Sequence, residues 1–252
     1  MIELNKQKNI GRVLFIVEGS KSEFVILRKI FCDILQYEYI EKRRNQPDTF
    51  QSKNSSFSRV AVINTKESNI RDITENESYL DDLFDMLITE YNFPVDQAAI
   101  YYLFDRDPES NTDVDRIKDY IATLRNPYDN GIMKAGLLLL SYPSIEAFIV
   151  SGFVDNSYEI RKNLGSEVKK YIGDNTFIQN NKINENTLIK ATGEFLSYLR
   201  NLDVEWDIDD FSGASRTVLD KQQEEYLEGK GFRLFSMLTL ALLQMGIISY
   251  QE

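Results

Sequence analysis

The chain has 252 residues, with 29 lysines and arginines against 40 aspartates and glutamates, a formal charge of −11, no histidine and one cysteine. That inventory excludes His-based nucleophilic triads, a His general base near neutral pH and any zinc centre built on His and Cys, and it leaves Cys32 without an internal disulfide partner. What remains for hydrolytic work is carboxylate chemistry, alone or around a hard cation.

With 42% hydrophobic residues and only 12 glycines and 5 prolines, the chain can close a substantial core, and neither an internal repeat nor a low-complexity tract interrupts it. Residues 1–12 are polar and lack the apolar centre of a signal peptide. The longest apolar stretch, residues 234–248, is broken by Ser236, Thr239, Gln244 and Gly246 and is too short to span a bilayer. A cytoplasmic protein with no membrane association is the expectation.

Strand and helix signals alternate over the first 150 residues, as in βαβ units around a mostly parallel sheet. Residues 13–17 form a short unbroken apolar run, which a strand buried on both faces requires. In the helix that follows, Ser20 is the expected cap and Glu23 its capping-box partner, while Phe24, Leu27, Ile30, Phe31 and Ile34 recur at helical spacing. Residues 41–58 are polar, carry Lys42, Arg43 and Arg44, and read as an exposed insertion ahead of a second strand at 60–63. Residues 77–91 place Leu80, Leu83, Phe84, Leu87 and Ile88 on one helical face. A third strand is expected at 98–104, a helix through Val114, Ile117, Ile121 and Leu124 that ends at Asn126-Pro127, a fourth strand at 136–140, and a helix from Pro143 through Phe148. Beyond Gly152 the pattern is helical, near 157–172, 185–201, 216–228 and 232–248. The expected fold is α/β: a mostly parallel four-stranded sheet flanked by helices over residues 10–152, followed by a helical C-terminal region over 153–252.

Acidity falls in two blocks: residues 81–115 hold ten acids against Arg106, and residues 201–228 hold nine against Arg216 and Lys221, so the remainder is mildly basic. An acidic total therefore leaves room for a nucleic-acid substrate, bound weakly unless a metal or partner assists.

Ligand sites in open α/β sheets form at the carboxyl ends of the strands. Those ends are acidic here, with Glu18-Gly19 after the first strand, Asp105-Arg106-Asp107 after the third, and the run from Ser141 to Glu146 after the fourth. Glu18, Asp105, Asp107 and Glu146, brought to one edge, suit one or two Mg²⁺ or Mn²⁺ ions, which prefer oxygen ligands.

Phe15-Ile-Val-Glu18-Gly19-Ser-Lys-Ser-Glu23 together with Phe104-Asp105-Arg-Asp107 resembles the Toprim domain of topoisomerases, primases and OLD-family nucleases. The resemblance covers about residues 10–150, with the motif spacing stretched by residues 41–58. More narrowly, Glu18-Gly-x-x-Ser22-Glu23, Asp105-Arg-Asp107 and Tyr142-Pro-Ser-Ile-Glu146 are similar to the motifs of small RloB-like Toprim proteins found among bacterial phage-defence genes; the histidine that follows the last motif in that group is absent here. The resemblance implies a metal-dependent endonuclease, a hydrolase that uses Mg²⁺ or Mn²⁺ to cut phosphodiester bonds in tRNA or DNA as an antiviral effector. It implies that Asp105 and Asp107 hold the metal, that Glu18 binds metal or acts as general acid/base, and that Glu146 holds a second ion. Lys21 and Arg106 are then candidate phosphate contacts, and Lys42, Arg43 and Arg44 a basic loop for the substrate backbone. It also implies an ABC-type ATPase as partner, and a self-associating C-terminal region would suit a homodimer.

Plainer readings stand beside these. Glu23 suits a capping box, Glu146 a helix N-terminus, and Tyr101 and Tyr102 strand packing. At the level of the whole chain, the alternative is a binding subunit that docks on the ATPase through its acidic blocks with a silent or inhibited site. A nucleotide-sugar glycosyltransferase using Asp105-x-Asp107 ranks last, because it gives no role to Glu18-Gly19.

Overall fold

The structure, a computed structural model, describes residues 1–19, 21–40, 48–64, 85–86, 88–90, 93, 97–128 and 136–251. The first half contains strands β1 (Ile2–Leu4) and β2 (Arg12–Val17), helix α1 (Ser22–Arg28) continued by a π-helical stretch over Lys29–Ile34, and strands β3 (Glu38–Ile40), β4 (Asp48–Gln51), β5 (Arg59–Asn64) and β6 (Ala98–Asp105). Next come α2 (Val114–Thr123), β7 (Arg125–Asn126), β8 (Gly136–Tyr142), α3 (Glu146–Ser151), β9 (Arg161–Lys162), α4 (Gly165–Asp174) and α5 (Glu185–Asn201). The chain ends with α6 (Ser212–Leu227), β10 (Phe232–Arg233), β11 (Phe235–Ser236), α7 (Leu238–Gln244) and β12 (Ile248–Tyr250).

The four strands expected from their apolar runs are β2, β5, β6 and β8. They lie side by side in the order β8-β6-β2-β5, all parallel. Every residue of β8 is buried, as is every residue of β6 but the last, which is why these strands carry no alternation of polar and apolar residues. The sheet is wider than expected, however. Antiparallel β4 and β3 extend it beyond β5, and antiparallel β11 and β7 pair with β8, giving eight strands in a mixed sheet. The added strands have two to four residues, too short to show a periodicity, and pairing rather than pattern defines them.

The segment expected as an exposed insertion is corrected by β4, where Thr49 and Phe50 are buried and Phe50 stacks on Phe31 at 5.9 Å. Residues 41–47, with Lys42, Arg43 and Arg44, lie outside the described residues, as does Ser20, the expected cap of α1. Most of the expected helix at 77–91 also lies outside them; Asp85, Met86, Ile88 and Thr89 are helical. The helix expected at 232–248 is instead β10, β11, α7 and β12; Gly246, at φ +66°, turns the chain out of α7 towards β12. The helix expected at 157–172 begins later, as α4, after a short helical turn at Ser157–Glu159 and strand β9.

The C-terminal region is mostly helical, yet it contributes β11 to the main sheet and β12 to a ribbon with β1. The buried apolar residues form one continuous cluster running from Ile10 to Ile248. Phe31 packs on Phe15 of β2 at 6.2 Å, which places α1 and its continuation over one face of the sheet. Helix α2 packs against α6, and α3 against α4 and α5. Among the described residues no helix is long and apolar enough to cross a membrane.

Candidate functional site

The chain leaves β2 towards β5 on one side of the sheet and leaves β6 towards β8 on the other. A sheet splits open at the carboxyl ends of two neighbouring strands whose connections diverge in this way. Register places Val17 beside Leu103, so Glu18, one residue past β2, faces the end of β6, where its amide donates to the Leu103 carbonyl at 3.2 Å. The Glu18 carboxylate is 6% exposed, and its Oε2 accepts from the Asp105 backbone N–H at 2.8 Å. Asp105 Oδ1 in turn accepts from the Ile145 N–H at 2.7 Å, which ties β6 to the start of α3.

Two further carboxylates join this crevice. Glu146, on the first turn of α3, accepts from Ser22 Oγ at 2.6 Å and from Ser144 Oγ at 2.7 Å. Glu23, on the first turn of α1, accepts from the Gly19 N–H at 3.0 Å. A Cβ at position 19 would stand 2.6 Å from Glu23 Oε2, so a larger residue there would push the Glu23 carboxylate from its place against the β2–α1 turn. Glu18, Glu23, Asp105 and Glu146 thus line one open pocket of about 230 Å³, together with Ser22 and two lysines. One of these is Lys21; the other is Lys169 of α4, whose Nζ stands 3.6 Å from Glu146 Oε1.

Burial dominates the electrostatics. It pushes the Glu18 carboxyl up to about 7, with Glu23 adding repulsion, against the opposing hydrogen bonds from Asp105, Ser110 and Asn111. Asp105 is raised well above the ordinary carboxylate range by burial first, then by the charges of Glu18, Glu23 and Glu146. Burial raises Glu23 as well. Negative charge is therefore under-compensated in the pocket.

A hard divalent cation matches this donor set. Every candidate ligand is a carboxylate oxygen, and an added positive charge relieves both the burial and the repulsion that hold Glu18 and Asp105 high. Among the described residues no three such side chains close into a ready-made cation site; the carboxylates surround the pocket without converging on one point.

Not every expected residue reaches the pocket. Lys21 lines it, with Glu18, Asp105 and Glu146. Asp107 instead accepts from the Gly165 N–H at 3.0 Å and from the Glu109 N–H at 3.0 Å, so its carboxylate anchors the N-terminus of α4. Gly165 permits this approach, since a Cβ there would lie 2.9 Å from Ser144 Cβ. The phosphate contact expected of Arg106 is corrected: its side chain is 2% exposed, turns away from its neighbours' carboxylates, and bonds to the Asn111 carbonyl and to Gln223. Lys169 and Asn111 were not visible as site residues, because one sits 64 positions from Asp105 on a separate helix and the other in an unpatterned loop.

Compared with protein families, with curated proteins and with solved structures, the chain finds no match.

Proposed function

We propose that the protein is a metal-dependent phosphodiesterase of Toprim type that cleaves nucleic acid, with its site in the crevice between the ends of β2 and β6. The observation that carries this reading is the pairing of Glu18 and Asp105 at the point where the sheet splits, ringed by two more carboxylates and flanked by two lysines. Glu18 and Asp105 are the residues to hold a divalent cation, and such a cation supplies a Lewis acid for the phosphate and an acidic bound water. Glu146 is held by two serine hydroxyls and bounds the pocket on the α3 side. Lys21 and Lys169 take up charge on the substrate's phosphate. General acid/base is the alternative role for Glu18, since its carboxyl, pushed up to about 7 by burial, suits proton transfer near neutral pH only where no cation binds to it.

The test is to incubate the purified protein with Mg²⁺ or Mn²⁺ and, in parallel, plasmid DNA and total tRNA, beside Glu18→Ala and Asp105→Ala. The expected outcome is metal-dependent cleavage of one substrate class, reduced at least about a hundredfold in each variant. Cleavage that survives both substitutions, or no cleavage by the unaltered protein, overturns the reading.

A further inference from the structure

We propose that Arg106 and Asn111 form a strut that sets Glu18 and Asp105 from the C-terminal region, making α6 a working part of the site although no α6 residue lines the pocket. The inference rests on reading that pocket as a phosphodiesterase site. It begins in the loop that leaves β6. Asn111 is 2% exposed, and its Nδ2 donates to the Asp105 carbonyl at 2.6 Å and to Glu18 Oε2 at 3.5 Å. Its backbone N–H donates to the Asp107 carbonyl at 2.9 Å, closing the turn. Its carbonyl accepts from Arg106 Nη1 at 2.7 Å. Asn111 is thereby held on one side by the guanidinium while its amide reaches the Glu18 carboxylate and the main-chain carbonyl of Asp105.

Arg106 is itself anchored outside the α/β core. Its Nη2 donates to Gln223 Oε1 of α6 at 2.8 Å, and its guanidinium lies 5.6 Å from the centre of the Phe232 ring on β10. It makes no direct ion pair among the described residues, although the Asp107 charge acts on it at longer range, and its buried Nε has no partner there. A buried guanidinium without a direct ion pair is a poor stabiliser, and an apolar side chain of similar volume serves a core better. What the guanidinium provides is direction, since its planar fork fixes the angle between the two acceptors it holds. Arg106 and Asn111 are positioning residues, acting on the pocket through Glu18 and Asp105.

Gln223 is half-buried on the rim of α6 and can be changed with the fold intact, so it carries the test. Amide hydrogen exchange of residues 105–111 and steady-state kinetics are measured on the full chain for the unaltered protein, Gln223→Ala and Gln223→Glu, the last keeping the acceptor. In Gln223→Ala the 105–111 amides are expected to exchange about tenfold faster while β2 and β8 amides keep their rates, and kcat to fall about tenfold with KM within twofold. Gln223→Glu is expected to restore both. Unchanged exchange in Gln223→Ala overturns the strut whatever the activity, and faster exchange with unchanged kcat overturns its positioning role. If the unaltered protein cleaves nothing, the phosphodiesterase reading fails, and the positioning role with it; the exchange data still decide whether the loop hangs on α6.

Discussion

Glu18 shows how the candidate site works against the stability of the fold. Its carboxyl is raised from 4.5 to about 7 by burial, so between those values the folded protein keeps a proton that the unfolded chain releases. Stability contributed by this group therefore falls as pH rises from about 4.5 to 7, and above 7 the full penalty, about 3 kcal/mol, is in force. Glu18→Gln keeps an acceptor for the Asp105 N–H and removes the charge. Urea unfolding should find this variant more stable than the unaltered protein by about 3 kcal/mol at pH 8 and nearly equal at pH 4.5; the same difference at both pH values would contradict the assignment. Mg²⁺ should have the opposite selectivity. At pH 8 it should raise the unfolding midpoint of the unaltered protein, by mass action on the folded state, and leave that of Glu18→Gln nearly unmoved.

The Asp-Arg-Asp run illustrates what spacing alone can and cannot say about single residues. Placing all three after β6 was legible, because an unbroken apolar run must end before charged residues begin. Their division of labour was not. Asp105 enters the pocket, Arg106 turns into the interior, and Asp107 reaches α4, since consecutive side chains leaving a strand point in different directions and each takes whatever partner the tertiary fold offers.

At the scale of elements, α4 is the piece that brings a C-terminal lysine to the site. Its first N–H is held by Asp107 and its first residue packs on Ser144, so its placement depends on both. Asp107→Ala should cost about 1 kcal/mol in chemical denaturation, as lost helix caps do, and should reduce cleavage less than Asp105→Ala. An equal loss in the two variants would place Asp107 among the metal-holding residues after all. Helix α5 falls where the apolar pattern placed it, near 185–201, and the structure shows what fixes its start: Asn184 caps it and Thr187 returns the bond to the cap's own N–H. Strands β9 to β12 were not legible, because each exists only through a partner distant in sequence, and β3 and β4, though paired with near neighbours, are too short to show a pattern.

For the molecule as a whole, the continuous core and the insertion of β11 beside β8 predict one cooperative unit. Tyr142 at the end of β8 lies against Phe232 and Phe235, and Phe235 in turn stacks on Phe195 of α5 at 5.3 Å. A chain cut after Gly152 would expose this aromatic layer to water. It should show no cooperative thermal transition, whereas the full chain should show one; a sharp transition in the fragment would mean that the α/β part folds alone.

The α/β class, the four strands and the presence of Glu18 and Asp105 at their ends can be read from the order of residues alone, because doubly buried strands must be apolar and must stop where charge begins. Packing supplied the rest: the strand order that opens the crevice between β2 and β6, the addition of Glu23 and Lys169 to one pocket, and the burial that lifts the Glu18 carboxyl to about 7. Those features depend on contacts between residues up to about 150 positions apart, and no local pattern of side chains encodes which distant surfaces will meet.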